Sequence, residues 1–232
     1  MGWGKNSVTV LSIIFSLFAL ADEARGTIYL AAHDPITGSI GIAYSSSGGN
    51  FWQTRIKGRG LLGEQAYGLC RNATPKAFLE NGDSAELVAE KVQAQCDTVG
   101  WDQYRLAVVT TDGKLAGLIA KQGCHAGNPD CGMRWGDNFL IIGGGLTEGV
   151  LDAGLAAYEN TNPDDPLHCR LLKTLQAVYA AGGEKKDFRG ASITVDDPGL
   201  AELLHWEARG HEASLLSTLI DQIQTGSTTC AL

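Results

Sequence analysis

The chain of 232 residues carries a formal charge of −8, with 44% hydrophobic and 19% charged residues, 30 glycines and six cysteines. This length and apolar content suffice for one good-sized core, which excludes a disordered tail, a mini-protein and a large multidomain enzyme. A pI near 5.1 without any basic cluster argues against a nucleic-acid surface.

Lys5 precedes the uncharged stretch 8–21, VTVLSIIFSLFALA, which has the charge, length and composition of a secretory signal peptide. It falls short of the ~20 apolar residues that a membrane span needs. Small-residue motifs allow cleavage after Ala21 or after Gly26, and the second cut would make Thr27 the first residue of the mature chain. The expectation is a signal peptide over 1–26, one domain over 27–232, and an exported protein, periplasmic or extracellular, with no membrane attachment after cleavage. Export would place Cys70, Cys96, Cys124, Cys131, Cys169 and Cys230 in an oxidising space, where disulfides are the default. Only Cys124 and Cys131 are neighbours in sequence, and the remaining connectivity stays open. A zinc site drawn from Cys124, His125, Cys131, His168 and Cys169 is the weaker reading, because the close C-x2-C pairs typical of zinc are absent. No metal is expected.

Thr27 to His33 reads as a strand, Asp34 to Gly38 as a turn containing Pro35, and Ser39 to Ser45 as a second strand. A loop from Ser45 to Asn50 and a glycine-rich strand from Gly58 to Tyr67 follow. Helical spacing covers Pro75 to Asn81 and Ser84 to Cys96, with Leu87, Val88, Val92 and Cys96 assigned to the buried face. Asp112-Gly113 between Arg105–Thr111 and Lys114–Lys121 is a strong hairpin signal. After the cysteine loop, an apolar strand from Phe139 to Ile142 meets Gly143-Gly144-Gly145, read as a tight turn into a helix over Thr147 to Tyr158. A helix over Asp165 to Ala181, a strand over Gly190 to Val195 and a closing helix over Gly199 to Gln224 complete the chain. Hairpins make antiparallel sheet and helix pairs must cover its faces, so the fold class is α+β.

The familiar catalytic patterns are absent: no G-x-S-x-G elbow, no H-E-x-x-H and no P-loop occurs. The glycine run around Gly144 could present backbone N–H groups to an oxyanion, second to its reading as a turn. His205 and His211 read as solvated residues in or beside the closing helix. Thr27 draws interest by position. A threonine hydroxyl needs a base to become a nucleophile, and an N-terminal threonine carries one in its own α-amine, with a reference pKa of about 7.7–8.0. The plainer reading makes Thr27 the first residue of a strand.

The segment Thr27-Ile28-Tyr29-Leu30-Ala31-Ala32-His33-Asp34-Pro35-Ile36-Thr37-Gly38, followed by Gly41-Ile42-Ala43, resembles the opening of the domain of unknown function 1028 family, T-F-S-I-V-A-R-D-P-x-T-G and then G-V-A-V-A-S. Similarity continues around Gly63 to Tyr67, Asp112-Gly113, Gly136 to Tyr158 and Gly182 to Gly190. The resemblance implies an N-terminal-nucleophile (Ntn) hydrolase-like fold: a four-layer αββα sandwich of two antiparallel sheets between helix layers. It further implies Thr27 as catalytic nucleophile, Gln65 and Arg189 as pocket residues, and Asp34 as a turn residue; Gly144 is the separate candidate for backbone oxyanion contact in the same pocket. The family often has arginine where His33 stands, and no lysine occurs in either of the first two strands to sit beside the nucleophile.

The expected function is that of an exported hydrolase cleaving the C–N bond of a small amide or peptide-like ligand, without cofactor, and with neither nucleic acid nor membrane as partner. A homo-oligomer is an open alternative. The contrasting expectation is a non-catalytic envelope protein, binding a ligand or serving surface or fimbrial-type assembly on the same fold.

Overall fold

The computed structural model describes residues 26–48, 52–65, 73–99, 104–120, 124, 130–183, 188–225 and 230. The proposed signal peptide therefore lies outside the described residues apart from Gly26, and so do Cys70 and His125. Ten strands and five helices occur among the described residues. The strands are β1 (Thr27–His33), β2 (Ile40–Ser46), β3 (Trp52–Ile56), β4 (Gly60–Gln65), β5 (Arg105–Thr110), β6 (Leu115–Ile119), β7 (Asp130–Gly136), β8 (Phe139–Leu146), β9 (Gly190–Asp196) and β10 (Leu204–Arg209). The helices are α1 (Pro75–Glu80), α2 (Ala85–Val99), α3 (Val150–Glu159), α4 (Leu167–Ala180) and α5 (Glu212–Thr225).

Two sheets form, one of six strands in the order β10-β9-β2-β1-β8-β7 and one of four in the order β3-β4-β5-β6. Every pairing in both sheets is antiparallel. The expected α+β class holds. Local chemistry explains the tight reversals. Between β1 and β2, the Asp34 carboxylate accepts from the Ile36 N–H at 2.9 Å and the Thr37 hydroxyl at 2.8 Å, while Gly38 takes φ 75°. Between β5 and β6, Gly113 takes φ 80°.

The structure differs from the sequence expectations at four places. β3 and most of β7 occupy stretches to which the sequence pattern assigned no element. Gly143 to Gly145 lie within β8 instead of turning, and Gly149, at φ 82°, performs the turn into α3. The expected closing helix is a strand, β10, then Gly210 at φ 144° and α5, so His205 sits on a strand. Leu87 is exposed, and Ala85 takes its place beside Val88, Val92 and Cys96 on the buried face of α2.

Strand alternation sorts the apolar residues into three groups. Ile28, Leu30, Ile141 and Ile193 face one way from the larger sheet and pack with Leu171 and Leu175 of α4 and Leu215 and Leu219 of α5. Leu62, Leu106 and Val108 face away from the smaller sheet onto Leu79 of α1 and Val88 and Val92 of α2. Tyr29, Ala31, Ile42 and Ile142 of the larger sheet meet Leu61, Ala107 and Val109 of the smaller in the third group. A bidentate ion pair, Arg55 to Asp196 at 2.6 and 2.9 Å, ties β3 to β9 at the margin of this inter-sheet core.

Glycine is required where the sheets approach most closely. A Cβ on Gly63 would stand 2.8 Å from the Tyr29 ring and 3.2 Å from Ile42. Gly63→Ala is expected to cost about 1–3 kcal/mol through overpacking, read as a lowered denaturation midpoint; an unchanged midpoint would show that the sheets can part. No described helix is long and apolar enough to cross a membrane.

Candidate functional site

The inter-sheet core is apolar through its middle and turns polar at the end where β1 begins. Register defines that last layer. In the larger sheet Ser46, Thr27 and Gly144 stand side by side on β2, β1 and β8. In the smaller sheet Gln65, Arg105 and Ile119 stand side by side on β4, β5 and β6. Their side chains share the facing surfaces, because Thr27 lies two residues before Tyr29 and Arg105 two before Ala107, both inter-sheet residues.

Thr27 is fully buried. Its hydroxyl donates to the Gly26 carbonyl at 2.7 Å and shares a hydrogen bond with the Ser46 hydroxyl at 2.8 Å. Ser46 Oγ also lies 3.3 Å from the Gly26 oxygen and accepts from the Gly48 N–H at 2.9 Å. The Ser47 N–H reaches the same Gly26 oxygen at 3.4 Å. The carbonyl preceding Thr27 is thus surrounded by two hydroxyls and a backbone N–H.

Arg105 is fully buried, and its Nη1 donates to Gln65 Oε1 at 2.7 Å. A Cβ on Gly144 would stand 2.3 Å from Arg105 Nη2 and 2.8 Å from Cys131 Sγ. Only glycine lets the guanidinium lie against β8 here, directly beside the register partner of Thr27. The structure therefore sets Gly144 and Gln65 against one cation, with Thr27 beside Gly144 on the neighbouring strand. Arg189 joins through its backbone N–H, which donates to the Ser46 carbonyl at 2.8 Å, while its side chain is exposed.

Sequence reasoning missed Ser46 and Arg105. Ser46 was assigned to the loop after β2, and Arg105 to the end of a strand. The available signal was a lone cation opening the otherwise apolar run RLAVVT.

A tyrosine pair and a carboxyl flank the layer. Tyr29 Oη donates to the Glu64 carbonyl at 2.6 Å, and Tyr104 Oη to Glu64 Oε2 at 3.2 Å. Burial pushes the Tyr29 and Tyr104 phenols up, and burial also raises the Glu64 carboxyl from its ordinary value. A carboxyl raised in the folded state contributes fully below its unfolded pKa, and that contribution is lost as pH climbs toward the folded value. Glu64→Gln is accordingly expected to match wild type in acid and to exceed its stability as pH rises through and above the carboxylate range. Melting temperatures across that range check this; a constant offset at every pH would contradict it.

Among the described cysteines, Cys124 is joined to Cys131 and Cys169 to Cys230, each with Cα atoms 5.4 Å apart, and Cys96 is disulfide-bonded as well. Among the described residues, His168, Cys169 and Cys230 are the one group close enough to share a metal ion. Two of its three donors are the sulfurs of that second disulfide, which leaves a poor donor set for zinc.

A model of the family of unknown function DUF1028 matches residues 27–222. The crystal structure of protein SPO2555 from Silicibacter pomeroyi, of the same family, is similar at 21% identity and a TM-score of 0.70, over 87% of this chain and 88% of that one. At that identity the likeness speaks to the fold alone. No curated protein matches the sequence.

Proposed function

We propose that this chain, which belongs to the DUF1028 family, is an exported amide hydrolase whose nucleophile is Thr27 and whose fold is the four-layer, Ntn-hydrolase-like sandwich. One observation carries the reading: Thr27 opens β1, its hydroxyl is hydrogen-bonded to Ser46, and it stands beside Gly144 in the layer that holds the buried Arg105, at the polar end of an apolar inter-sheet core. The helix-facing and inter-sheet apolar groups support the layered arrangement.

While Gly26 is attached, the nitrogen of Thr27 is an amide and cannot act as a base. Cleavage after Gly26 converts it to an α-amine and removes the carbonyl that the Thr27 hydroxyl now holds. The amine then takes the hydroxyl proton as Oγ1 attacks the substrate carbonyl. The tetrahedral oxyanion is stabilised by donors at the vacated Gly26 oxygen position, where the Ser46 hydroxyl and Ser47 N–H point. The amine returns the proton to the leaving nitrogen, and water hydrolyses the acyl-threonine. Gln65 holds Arg105 in place, and Arg189 fixes β2 through its backbone.

The test is intact mass of the exported protein followed by an acylating probe such as a β-lactone. The expected result is a chain starting at Thr27 with a single adduct on that residue. A chain starting at Asp22 without later trimming, or a chain starting at Thr27 that takes no adduct, defeats the mechanism. Retention of a small ligand without turnover would instead favour the binding-protein reading, which the complete burial of Thr27 favours.

A further inference from the structure

The Cys124–Cys131 and Cys169–Cys230 disulfides sit in different chemical settings. Cys169 and Cys230 are both buried. Cys124 is exposed, and its partner Cys131 places Sγ 2.8 Å, and Arg105 its Nη2 2.3 Å, from the position that a Cβ on Gly144 would occupy. Sulfur and cation are close neighbours across a residue that has no side chain to separate them. Thiol–disulfide exchange needs an accessible sulfur to attack, and it is faster when the departing thiol has a low pKa. A fixed cation lowers the pKa of an adjacent thiol. Cys124 supplies the access, and Cys131 supplies the leaving group.

The geometry points to the Cys124–Cys131 bond as a thiol-exchange site, a modification point for small thiol or dithiol reductants outside the cell membrane. A reductant thiolate attacks Cys124 Sγ, the S–S bond breaks, and its electron pair departs on Cys131 Sγ as a thiolate beside Arg105. A second reductant thiolate attacks the reductant sulfur of the mixed disulfide, forming oxidised reductant and releasing Cys124, which takes a proton from water. Two electrons enter the bond and two reductant thiols become one disulfide.

Among the described residues, Arg105 is the cation placed beside Cys131. β8 has no titratable side chain between Phe139 and Leu146, and β6 has none between Leu115 and Ile119. Asp130, Arg134 and Asp152 associate with one another on the opposite face of β7, against α3. Reduction therefore sets a thiolate against Arg105 and cancels its charge next to Gly144 and Thr27. The exchange chemistry stands whether or not Thr27 is a nucleophile.

The oxidised full chain is titrated with dithiothreitol, and newly freed thiols are alkylated and mapped by mass spectrometry. Cys124 and Cys131 are expected to label at a reductant concentration at least ~tenfold below that needed for Cys169 and Cys230. In Cys124→Ser, alkylation of Cys131 is expected to follow a pKa below the ordinary ~8.5. That pKa is retained in a Cys124→Ser, Arg105→Lys chain and raised with Arg105→Gln. Reduction of Cys124–Cys131 only together with Cys169–Cys230, or a Cys131 pKa at or above ~8.5 in Cys124→Ser, overturns the proposal. The Cys124→Ser measurement decides the matter even if the Arg105 variants fail to fold.

Discussion

Thr27→Ala is expected to lower the turnover of any amide that the mature chain hydrolyses by at least about a thousandfold, with the chain still folded. The substitution leaves the α-amine, the strand and the Arg105 layer in place and removes only the attacking oxygen and a methyl group. Its structural cost is small. Ser46 Oγ loses one partner but keeps the Gly48 N–H at 2.9 Å, so about 0.5–1.5 kcal/mol is at stake. Thr27→Ser retains the hydroxyl and is expected to retain measurable turnover. Rates against a panel of amides and short peptides, with circular dichroism as the folding control, distinguish the outcomes. Equal rates for Thr27→Ala and wild type would move the chemistry elsewhere in the molecule.

Replacing both Cys169 and Cys230 by alanine is expected to destabilise the fold by about 4 kcal/mol, the loop-closure entropy of a long loop. The bridge spans a sequence separation of 61 residues, from α4 to beyond α5. Between its ends lie β9, β10 and α5, which complete one side of the larger sheet and its helical cover. Both sulfurs are buried, packed with apolar residues and beside His168, and alanine leaves unfilled volume there. The Cys124–Cys131 bridge, with a separation of seven, constrains the unfolded chain far less. Urea denaturation under non-reducing conditions measures the difference; a loss below about 1 kcal/mol would mean that the native bridge is strained or that the unfolded chain is already constrained.

The strands that sequence reasoning missed share a position. β3, β7 and β10 are all edge strands, bonded on one side only and partly open to solvent, so their apolar alternation is diluted. Trp52-Gln53-Thr54-Arg55-Ile56 shows this: it is polar or exposed nearly throughout. The fourth edge strand, β6, was legible because Asp112-Gly113 announces a hairpin without reference to burial. β10 carries residues that favour helix, and pairing with β9 overrides them.

The three adjoining glycines of β8 misled for another reason. Glycine marks turns, but Gly143 and Gly144 serve close approach: a Cβ on Gly143 would meet Leu146 at 2.5 Å and Leu151 at 2.9 Å. The site was legible in its sheet residues Thr27, Gln65 and Gly144, through family resemblance and position. Arg105 was not, because its partners come from β4 and β8, distant in sequence, and only the register between two sheets brings them together.

The central place of β1 constrains when the chain could be processed. Gly26 and Thr27 are both buried, and β1 is hydrogen-bonded to β2 on one side and to β8 on the other. A peptidase binds its substrate as an extended strand with free backbone groups, and none is offered here once β8 has docked. An external protease that frees Thr27 must therefore act on the chain before residues 139–146 have joined the sheet. If the chain is exported and trimmed to Thr27, its terminus is set between translocation and folding, and a slower-folding variant would widen the period in which it can be trimmed.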